Sequence, residues 1–207
     1  MKRLERVFDV YIANGSSLPD DHCGPGSTID YTKSIGEHMV SFLKKHHITS
    51  ILDCPCGTSN WMSQVELQGI EYIGADVVQS LVEYNKKTFP NKQFLYLDIT
   101  EDKLPKSDLL FCRDCLFHFN YDDKILAFIN FICSDIPYIL TSNYLSCVQN
   151  LEIETGQFAE VNWGKEPFNF SDPIDNLDDS CGGWPPRVMS LYSKNQIYDA
   201  LSKKGKI

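Results

Sequence analysis

The amino-acid sequence predicts an α/β fold built on a doubly wound, mostly parallel β-sheet. Short apolar runs alternate with segments of helical periodicity, which is the pattern of successive strand–helix units. Three of these runs end in an acid, at Asp53, Asp76 and Asp98, and the acids are 23 and 22 residues apart, about the length of one unit. Because parallel strands end at the same edge of a sheet, this spacing predicts a row of carboxylates where open α/β sheets bind ligands.

Five apolar runs are expected to form the strands of the sheet. They cover residues 50–52, 72–75, 93–97, 108–112 and 138–142. The fourth run is apolar on both faces, which is typical of a central parallel strand. Helices are expected where apolar residues recur at helical spacing, namely at 35–47, directly after Gly57, at 78–87 and at 121–133.

One domain is expected for the chain of 207 residues. The segment after the fifth strand is rich in Asn, Asp, Gly and Pro but carries interspersed aromatic residues, which is typical of an ordered loop over a site. A strand at 188–192 follows it and is expected to pair with 174–177. The domain is therefore divided into an N-terminal cover at 1–32 with turns at 14–17 and 23–27, a ligand-binding core at 33–142, a lid at 143–187, and a closing strand and tail at 188–207.

The composition is that of an ordinary soluble globular protein and disfavours a nucleic acid partner. The formal net charge is −9 and no basic patch is present, which disfavours nucleic acid as a partner. No apolar run reaches the ~18 residues of a membrane span, and the N-terminus lacks the apolar core of a secretory signal. Eight cysteines, several of them inside apolar runs, are expected to be reduced, so the predicted location is the cytoplasm.

The turn after the first strand points to the kind of ligand. A dinucleotide-binding turn uses three glycines in front of a helix N-terminus that holds a pyrophosphate. Here only Gly57 remains, and Pro55 and Ser59 stand where the other small residues would be. Such a turn favours a nucleoside ligand without phosphates.

Four segments in register resemble the motifs of class I S-adenosylmethionine-dependent methyltransferases. They are Ile51-Leu52-Asp53-Cys54-Pro55-Cys56-Gly57, Gly74-Ala75-Asp76, Leu97-Asp98-Ile99 and the run from Asp108 to Asp114. The resemblance covers roughly residues 20–145 and implies a Rossmann-like fold with S-adenosyl-L-methionine as the cofactor. The segments 24–28, 112–118 and 167–169 further resemble a small bacterial group of such enzymes associated with capsule and surface-polysaccharide biosynthesis, including O-methyl phosphoramidate decoration.

The resemblance assigns cofactor-binding residues one by one. Asp76 would accept hydrogen bonds from the ribose hydroxyls, and Asp98 would receive the adenine amino group beside the Ile99 backbone. Read without the resemblance, Asp76 could instead be a helix N-cap, and Asp98, which precedes Thr100, could cap a turn.

The same resemblance places a second group near the methionyl part of the cofactor. Asp53, Cys56 and Gly57 would flank it, whereas Cys112 and Arg113 would lie under the sulfonium. Asp53 alone could also be an N-cap. Ser27 could bind the cofactor carboxylate or belong to a plain surface turn.

His118 and Asp114 are the candidate catalytic residues. An oxygen acceptor of high pKa needs a base to remove its proton, and histidine has a suitable pKa; an anionic phosphoramidate oxygen needs none. His118 could instead be a packed histidine between two phenylalanines, and Asp114 could contact the cofactor amine or cap a helix. Arg187 could hold an anionic acceptor or form a surface salt bridge. The acceptor pocket is expected to be lined by Trp163, Trp184, Tyr192 and Arg187.

The cysteines allow a metal-binding alternative. Thiols after the first and fourth strands, in C-x-C and C-x-x-C spacings, could form a tetrahedral zinc site or a redox pair. The residues concerned are Cys54, Cys56, Cys112 and Cys115. The preferred interpretation has no metal, because the cofactor needs this space.

The sequence thus predicts a methyltransferase that transfers a methyl group from S-adenosyl-L-methionine to an oxygen of a small-molecule acceptor, a sugar or phosphoramidate precursor of a surface polysaccharide. Two alternatives stay open. One is a protein or nucleic acid methyltransferase, and the other is a non-catalytic nucleoside-binding domain.

Overall fold

Seven strands form one mixed β-sheet in a computed structural model that describes residues 1–13, 23–181 and 186–207. The strand order is β3-β2-β1-β4-β5-β7-β6. β1 to β5 pair in parallel, and β7 runs antiparallel between β5 and β6. The strands are β1 (Ser50–Asp53), β2 (Glu71–Asp76), β3 (Gln93–Tyr96), β4 (Leu109–Cys112), β5 (Tyr138–Asn143), β6 (Asp175–Asp178) and β7 (Val188–Ser193).

Five α-helices accompany the sheet in the described part of the chain. They are α1 (Arg3–Ala13), α2 (Lys33–Lys45), α3 (Gln79–Thr88), α4 (Tyr121–Cys133) and α5 (Lys194–Lys203). Local capping fixes where two of them begin: Asn120 accepts a hydrogen bond from the Asp123 N–H at the start of α4, and Ser193 and Gln196 form a capping box at the start of α5. None of the helices in the described ranges is long and apolar enough to cross a membrane.

Alternate residues of the central strands point into two separate hydrophobic clusters. Ile51 and Phe111 face the side that packs against α2, whereas Leu52 and Leu110 face the side that packs against α4 and α5. Burial on both faces is what a central parallel strand requires. The predicted α/β class and mostly parallel sheet are therefore confirmed.

The sequence prediction is wrong about the segment that follows Gly57. No α-helix forms there; a single 3₁₀ turn at Met62–Gln64 lies between β1 and β2. Two residues in the left-handed region, Gly57 and Ser59, interrupt the backbone where a helix would begin. Val65 then returns to an extended conformation, and the buried Met62 accounts for the apolar periodicity.

The structure also differs from the expectation in two additional helices and in the location of two aromatic side chains. α1 and α5 lie in segments predicted only as a cover and a tail. The predicted pairing of the closing strand is confirmed, since β6 and β7 form a hairpin. Trp163 and Tyr192, expected in an acceptor pocket, are instead buried against Phe128 and Phe170 in the core. The predicted turn at 14–17 and Trp184 lie outside the described residues.

Candidate active site

A cavity opens at the carboxyl ends of the parallel strands. The order β3-β2-β1-β4 places the ends of these four strands side by side, so that Asp53 and Asp76 line one space and Asp98 lies between the lining residues Leu97 and Ile99. Its empty volume, counted out to the solvent at its mouth, is about 1060 Å³, enough for a nucleoside-sized ligand. Nine of the eleven predicted site residues line it: Ser27, Asp53, Cys56, Gly57, Asp76, Ile99, Arg113, Asp114 and His118.

Helix α1 covers one side of this cavity with the apolar side chains of Leu4 and Phe8. Polar contacts dock the helix onto the core. Glu5 accepts hydrogen bonds from the Gln79 N–H at 3.1 Å and from the Tyr96 hydroxyl at 2.6 Å, and Arg3 pairs with Asp123 at 2.5 Å. The sequence analysis missed this helix as a site element; the spacing of Leu4 and Phe8, one helical turn apart, was the available signal.

The turn after β1 is tied directly to Asp76. The Gly57 N–H donates to Asp76 Oδ2 at 3.0 Å, and the Gly57 carbonyl accepts from the fully buried Asn85 side chain at 2.7 Å. Gly57 has φ +54°, a conformation that L side chains rarely adopt. A Cβ at this position would also lie 2.9 Å from Cys23 Sγ. Glycine is therefore required both by the backbone and by the close approach of the N-terminal segment.

We expect Gly57→Ala to lower the free energy of unfolding by about 2–3 kcal/mol, because backbone strain of ~1 kcal/mol adds to the collision with Cys23. Gly69→Ala is the matched control, since Gly69 has φ +76° with nothing within 4 Å of its Cβ position. Urea denaturation of both variants separates strain from collision. Equal losses would show that the contact with Cys23 contributes nothing.

Asp53 and Asp76 are buried carboxyl groups at the cavity wall. Burial raises the pKa of Asp53 to about 7, although a hydrogen bond from the Tyr72 hydroxyl, at 2.6 Å, opposes the shift. Burial likewise raises the pKa of Asp76 to about 6, opposed by backbone N–H groups that include those of Val78 and Gly57. Tyr72 was not predicted as a site residue, and its position within β2 gives no local signal for this role.

Asp98 is fully buried, and only one of its two carboxylate oxygens accepts hydrogen bonds among the described residues. Its Oδ1 accepts the N–H and the hydroxyl of Thr100, as the turn-capping alternative predicts. Its Oδ2 has no hydrogen-bond partner within the described ranges. Asp98 does not itself line the cavity, but its neighbours Leu97 and Ile99 do. A buried carboxylate oxygen without a donor is what a ligand amino group would satisfy.

Two arginines and two aspartates form a buried charge cluster at the other end of the cavity. The Asp179 carboxylate, fully buried, accepts from Arg113 Nε at 3.0 Å and pairs with Arg187 Nε at 3.0 Å. Arg187 also reaches Asp114 Oδ1 at 2.6 Å, and Arg113 lies 3.1 Å from Asp114 Oδ2. The Arg113 side chain further donates to the Gly26 carbonyl at 2.8 Å. The cluster thus joins the N-terminal cover, the end of β4 and the β6–β7 connection.

This cluster corrects the surface salt bridge expected for Arg187, because the side chain is only 4% exposed and its pKa is raised by the neighbouring carboxylates Asp114 and Asp179 against the opposing effect of burial. Both guanidinium groups are occupied by carboxylates. Asp179 was not predicted at all, since it lies 66 residues from Arg113 and follows a strand that carries no motif.

His118 lies at the rim of the cavity with a defined tautomer. Its Nδ1 donates to the carbonyl oxygen of Gln157 at 2.9 Å, so the neutral ring carries its lone pair on Nε2. Burial lowers the pKa of His118 below its ordinary value, which favours the neutral ring at physiological pH. The ring therefore has the protonation state that a general base needs.

Cys112 is, with Asp98, one of the two predicted site residues that do not line the cavity. It is fully buried in the hydrophobic cluster on the α4 side and is absent from the described cavity wall, whereas Arg113 beside it lines the cavity.

No group of three or more His, Cys, Asp or Glu residues in the described ranges is arranged to hold a metal ion. Burial raises the pKa of the Cys54 and Cys56 thiols well above its ordinary value, so they are neutral packing groups.

The strand order with an antiparallel β7, together with the row of acids, defines the fold of class I S-adenosylmethionine-dependent methyltransferases. No family model matches the chain. Among curated proteins it is similar to "Putative methyltransferase 235L" of Invertebrate iridescent virus 6, with 26% identity over 152 residues, covering 67% of this chain and 55% of the viral protein. The chain thus spans about half the length of the curated relative that it matches.

Solved structures share the fold at low sequence identity. The mitomycin 7-O-methyltransferase MmcR has a TM-score of 0.61 and 13% identity, covering 81% of this chain and 55% of its own. The magnesium protoporphyrin IX methyltransferase ChlM of Synechocystis PCC 6803, with S-adenosylmethionine bound, has a TM-score of 0.60 and 11% identity. The match covers 94% of this chain and 98% of the ChlM chain. The N-methyltransferase NodS of Bradyrhizobium japonicum WM9 has a TM-score of 0.56 and 11% identity, and the match covers 79% of this chain and 96% of the NodS chain.

Proposed function

We propose that the protein transfers a methyl group from S-adenosyl-L-methionine to an oxygen atom of a small, uncharged acceptor. The observation that carries this proposal is the row of Asp53, Asp76 and Asp98 at the carboxyl ends of three adjacent strands: Asp53 and Asp76 line one cavity, and Asp98 lies between the lining residues Leu97 and Ile99. The fold supports the cofactor, since ChlM holds it on the same architecture.

The residues present fit this cofactor. Asp76 retains lone pairs for ribose hydroxyls beyond the two backbone N–H groups that it accepts, because a carboxylate has about four acceptor positions. Asp98 Oδ2 offers an unsatisfied acceptor for an adenine amino group. When bound, the cofactor supplies an electrophilic methyl group on a positively charged sulfur. Asp53, when ionised, supplies negative charge on the cavity wall for such a cation.

The chain's own contribution to methyl transfer would be orientation and removal of one proton. The acceptor hydroxyl would donate its hydrogen to His118 Nε2, and the Gln157 carbonyl would stabilise the imidazolium that forms through Nδ1–H. The charge cluster would hold Asp114 beside the acceptor, with its backbone N–H fixed by Ser142 Oγ at 3.0 Å. Proximity and orientation supply the largest part of such a rate enhancement.

The charges that line the cavity distinguish between the two acceptor classes that the sequence suggests, a sugar and a phosphoramidate. Arg113 is the only lysine or arginine among the described residues that line the cavity, and Asp179 and Asp114 neutralise it. Three carboxyl groups line the same wall. We therefore favour a neutral sugar hydroxyl, as in a precursor of a surface polysaccharide, over an anionic phosphoramidate. The same charge argument disfavours nucleic acid as a substrate.

Ligand binding followed by product analysis tests the proposal. We expect S-adenosylmethionine and S-adenosylhomocysteine to raise the melting temperature, as ligands of the native state do. Incubation with methyl-labelled cofactor should then label neutral sugars and leave sugar phosphates, oligonucleotides and a protein mixture unlabelled. No stabilisation by either nucleoside would refute the methyltransferase assignment, and binding without labelled product would favour the non-catalytic alternative.

His118→Gln is expected to lower kcat about a hundredfold, at the lower end of the range for a general base, with the cofactor dissociation constant unchanged. Because burial lowers the pKa of His118, wild-type kcat should rise with pH and reach its plateau at a lower pH than a histidine of ordinary pKa would allow. Steady-state kinetics with a labelled acceptor measure both effects. A variant that retained wild-type kcat would show that His118 only packs at the rim.

Cofactor affinity and protein stability are expected to respond to pH in opposite directions. The pKa is raised to about 7 for Asp53 and to about 6 for Asp76, whereas the ordinary pKa of an aspartate is 3.8. Both carboxyl groups therefore bind protons more tightly in the folded protein than in the unfolded chain. Their contribution to stability therefore falls as pH rises from about 4 to 7. The affinity for the cationic cofactor should rise at least about tenfold from pH 5.5 to 8, because both groups ionise. Calorimetry at both pH values checks this, and Asp53→Asn should flatten the rise.

A further inference from the structure

Phe158 is half exposed although it belongs to an aromatic cluster beside the candidate base. Its ring lies 5.2 Å from Phe117, 6.2 Å from Tyr144 and 5.9 Å from the His118 ring, measured between centroids. The side chain nevertheless keeps 53% of its surface exposed. Three ring contacts fix the orientation of Phe158, so the exposed face has a defined direction.

Backbone hydrogen bonds lock this ring to the turn that carries His118. The Gly156 N–H donates to the His118 carbonyl at 2.7 Å, and the Ala159 N–H donates to the Phe117 carbonyl at 3.3 Å. In addition, His118 Nδ1 donates a hydrogen bond to the Gln157 carbonyl. Phe158 thus sits between two residues that bond directly to the His118 turn, and its distance from the candidate base is set by the backbone.

The surroundings of Phe158 favour an uncharged, partly apolar ligand. Residues 144–160 contain no lysine, arginine or histidine and carry three glutamates, at 152, 154 and 160. The same segment exposes three further apolar side chains, Leu145, Val148 and Leu151. Residues 144–160 thus offer no cation to an anionic ligand, whereas their exposed side chains offer apolar surface to an apolar group.

We propose that Phe158 is a specificity-determining residue that packs against the ring of a neutral, hydroxylated acceptor bearing an apolar substituent, such as an aryl glycoside. This inference rests on the proposed methyl transfer and names the acceptor class for the same site. The apolar face of the acceptor ring contacts Phe158, which directs a ring hydroxyl toward His118. The substituent extends over the apolar side chains of the 144–158 segment.

Ligand-observed nuclear magnetic resonance on the protein loaded with S-adenosylhomocysteine tests this inference. The probes are phenyl β-glucoside, methyl β-glucoside, which lacks the aryl group, and phenyl phosphate, which is anionic. We expect phenyl β-glucoside to bind the wild-type protein about threefold to tenfold more tightly than methyl β-glucoside, the range of one aromatic contact, and phenyl phosphate to bind more weakly than both.

Variants at Phe158 assign the preference to this ring. Phe158→Ala should abolish the advantage of the phenyl glucoside, Phe158→Tyr should restore it, and Leu126→Ala, a half-exposed apolar position on α4, should leave it intact. Equal binding of all probes, tighter binding of phenyl phosphate, absence of binding by any probe, or an unchanged preference in Phe158→Ala would overturn the inference. Calorimetry with S-adenosylhomocysteine is the separate readout: failure there refutes the proposed function, whereas normal binding there confines the failure to Phe158.

Discussion

Replacement of Asp179 by asparagine is expected to lower the free energy of unfolding by about 3–5 kcal/mol, the cost of breaking a buried ion pair by removing one partner. The Asp179 carboxylate is fully buried and lies 3.0 Å from the Nε atoms of both Arg113 and Arg187. Without it, two buried guanidinium groups share the single carboxylate of Asp114. An excess positive charge then remains on buried guanidinium groups.

Two comparisons make this expectation specific. Asp178→Asn alters the neighbouring, exposed carboxylate, whose partners are the hydroxyls of Ser34 and Ser180, and should cost less than about 1 kcal/mol. The double variant Asp179→Leu with Arg187→Met removes one charge of each sign and leaves Arg113 paired with Asp114, so it should be less destabilised than Asp179→Asn. Urea denaturation measures all three. A loss below 1 kcal/mol for Asp179→Asn would show that the cluster does not hold the three segments together.

The contrast between this cluster and the row of acids shows what the sequence could predict. Asp53 and Asp76 end their own strands and Asp98 lies two residues beyond the end of β3, so local pattern and the geometry of parallel strands suffice to place them along one edge of the sheet. Asp179 and Arg187 lie far from Arg113 in the sequence, and the arrangement of β5, β6 and β7 brings them to it. Contacts between residues more than 60 positions apart leave no periodicity in the sequence, and the cluster emerges only from the folded chain.

The helices show the same limit at shorter range. The prediction of α4 is correct because apolar residues recur at helical spacing along residues 121–133, and the structure adds that Asn120 caps its first turn. The segment after Gly57 has similar periodicity, yet Ser59 adopts a positive φ and the helix does not form. Backbone conformation at single non-glycine residues is decided by tertiary contacts, such as the hydrogen bond between Ser59 and Tyr72, and these override local propensity.

Asp76→Ala is expected to weaken the binding of S-adenosylmethionine on the order of a thousandfold. Two hydrogen bonds from ligand hydroxyls to a buried carboxylate contribute about 1.5–3 kcal/mol each, and loss of roughly 4 kcal/mol corresponds to that factor. The substitution also releases the Gly57 N–H, which Asp76 Oδ2 accepts at 3.0 Å, so the turn after β1 loses this anchor. Both effects act on the same ligand. Isothermal titration calorimetry of the folded variant measures them together.

Asp108→Ala is the matched control, because Asp108 also accepts backbone N–H groups between strands, those of Thr49 and Ser50, but at the amino ends of β1 and β4. Both variants lose comparable backbone hydrogen bonds, and both should be destabilised by about 1–3 kcal/mol. Only Asp76→Ala borders the cavity, so only it should lose the cofactor. Comparable loss of binding in the two variants would mean that affinity follows global stability, and normal binding by Asp76→Ala would refute the assignment of its carboxylate to the ribose.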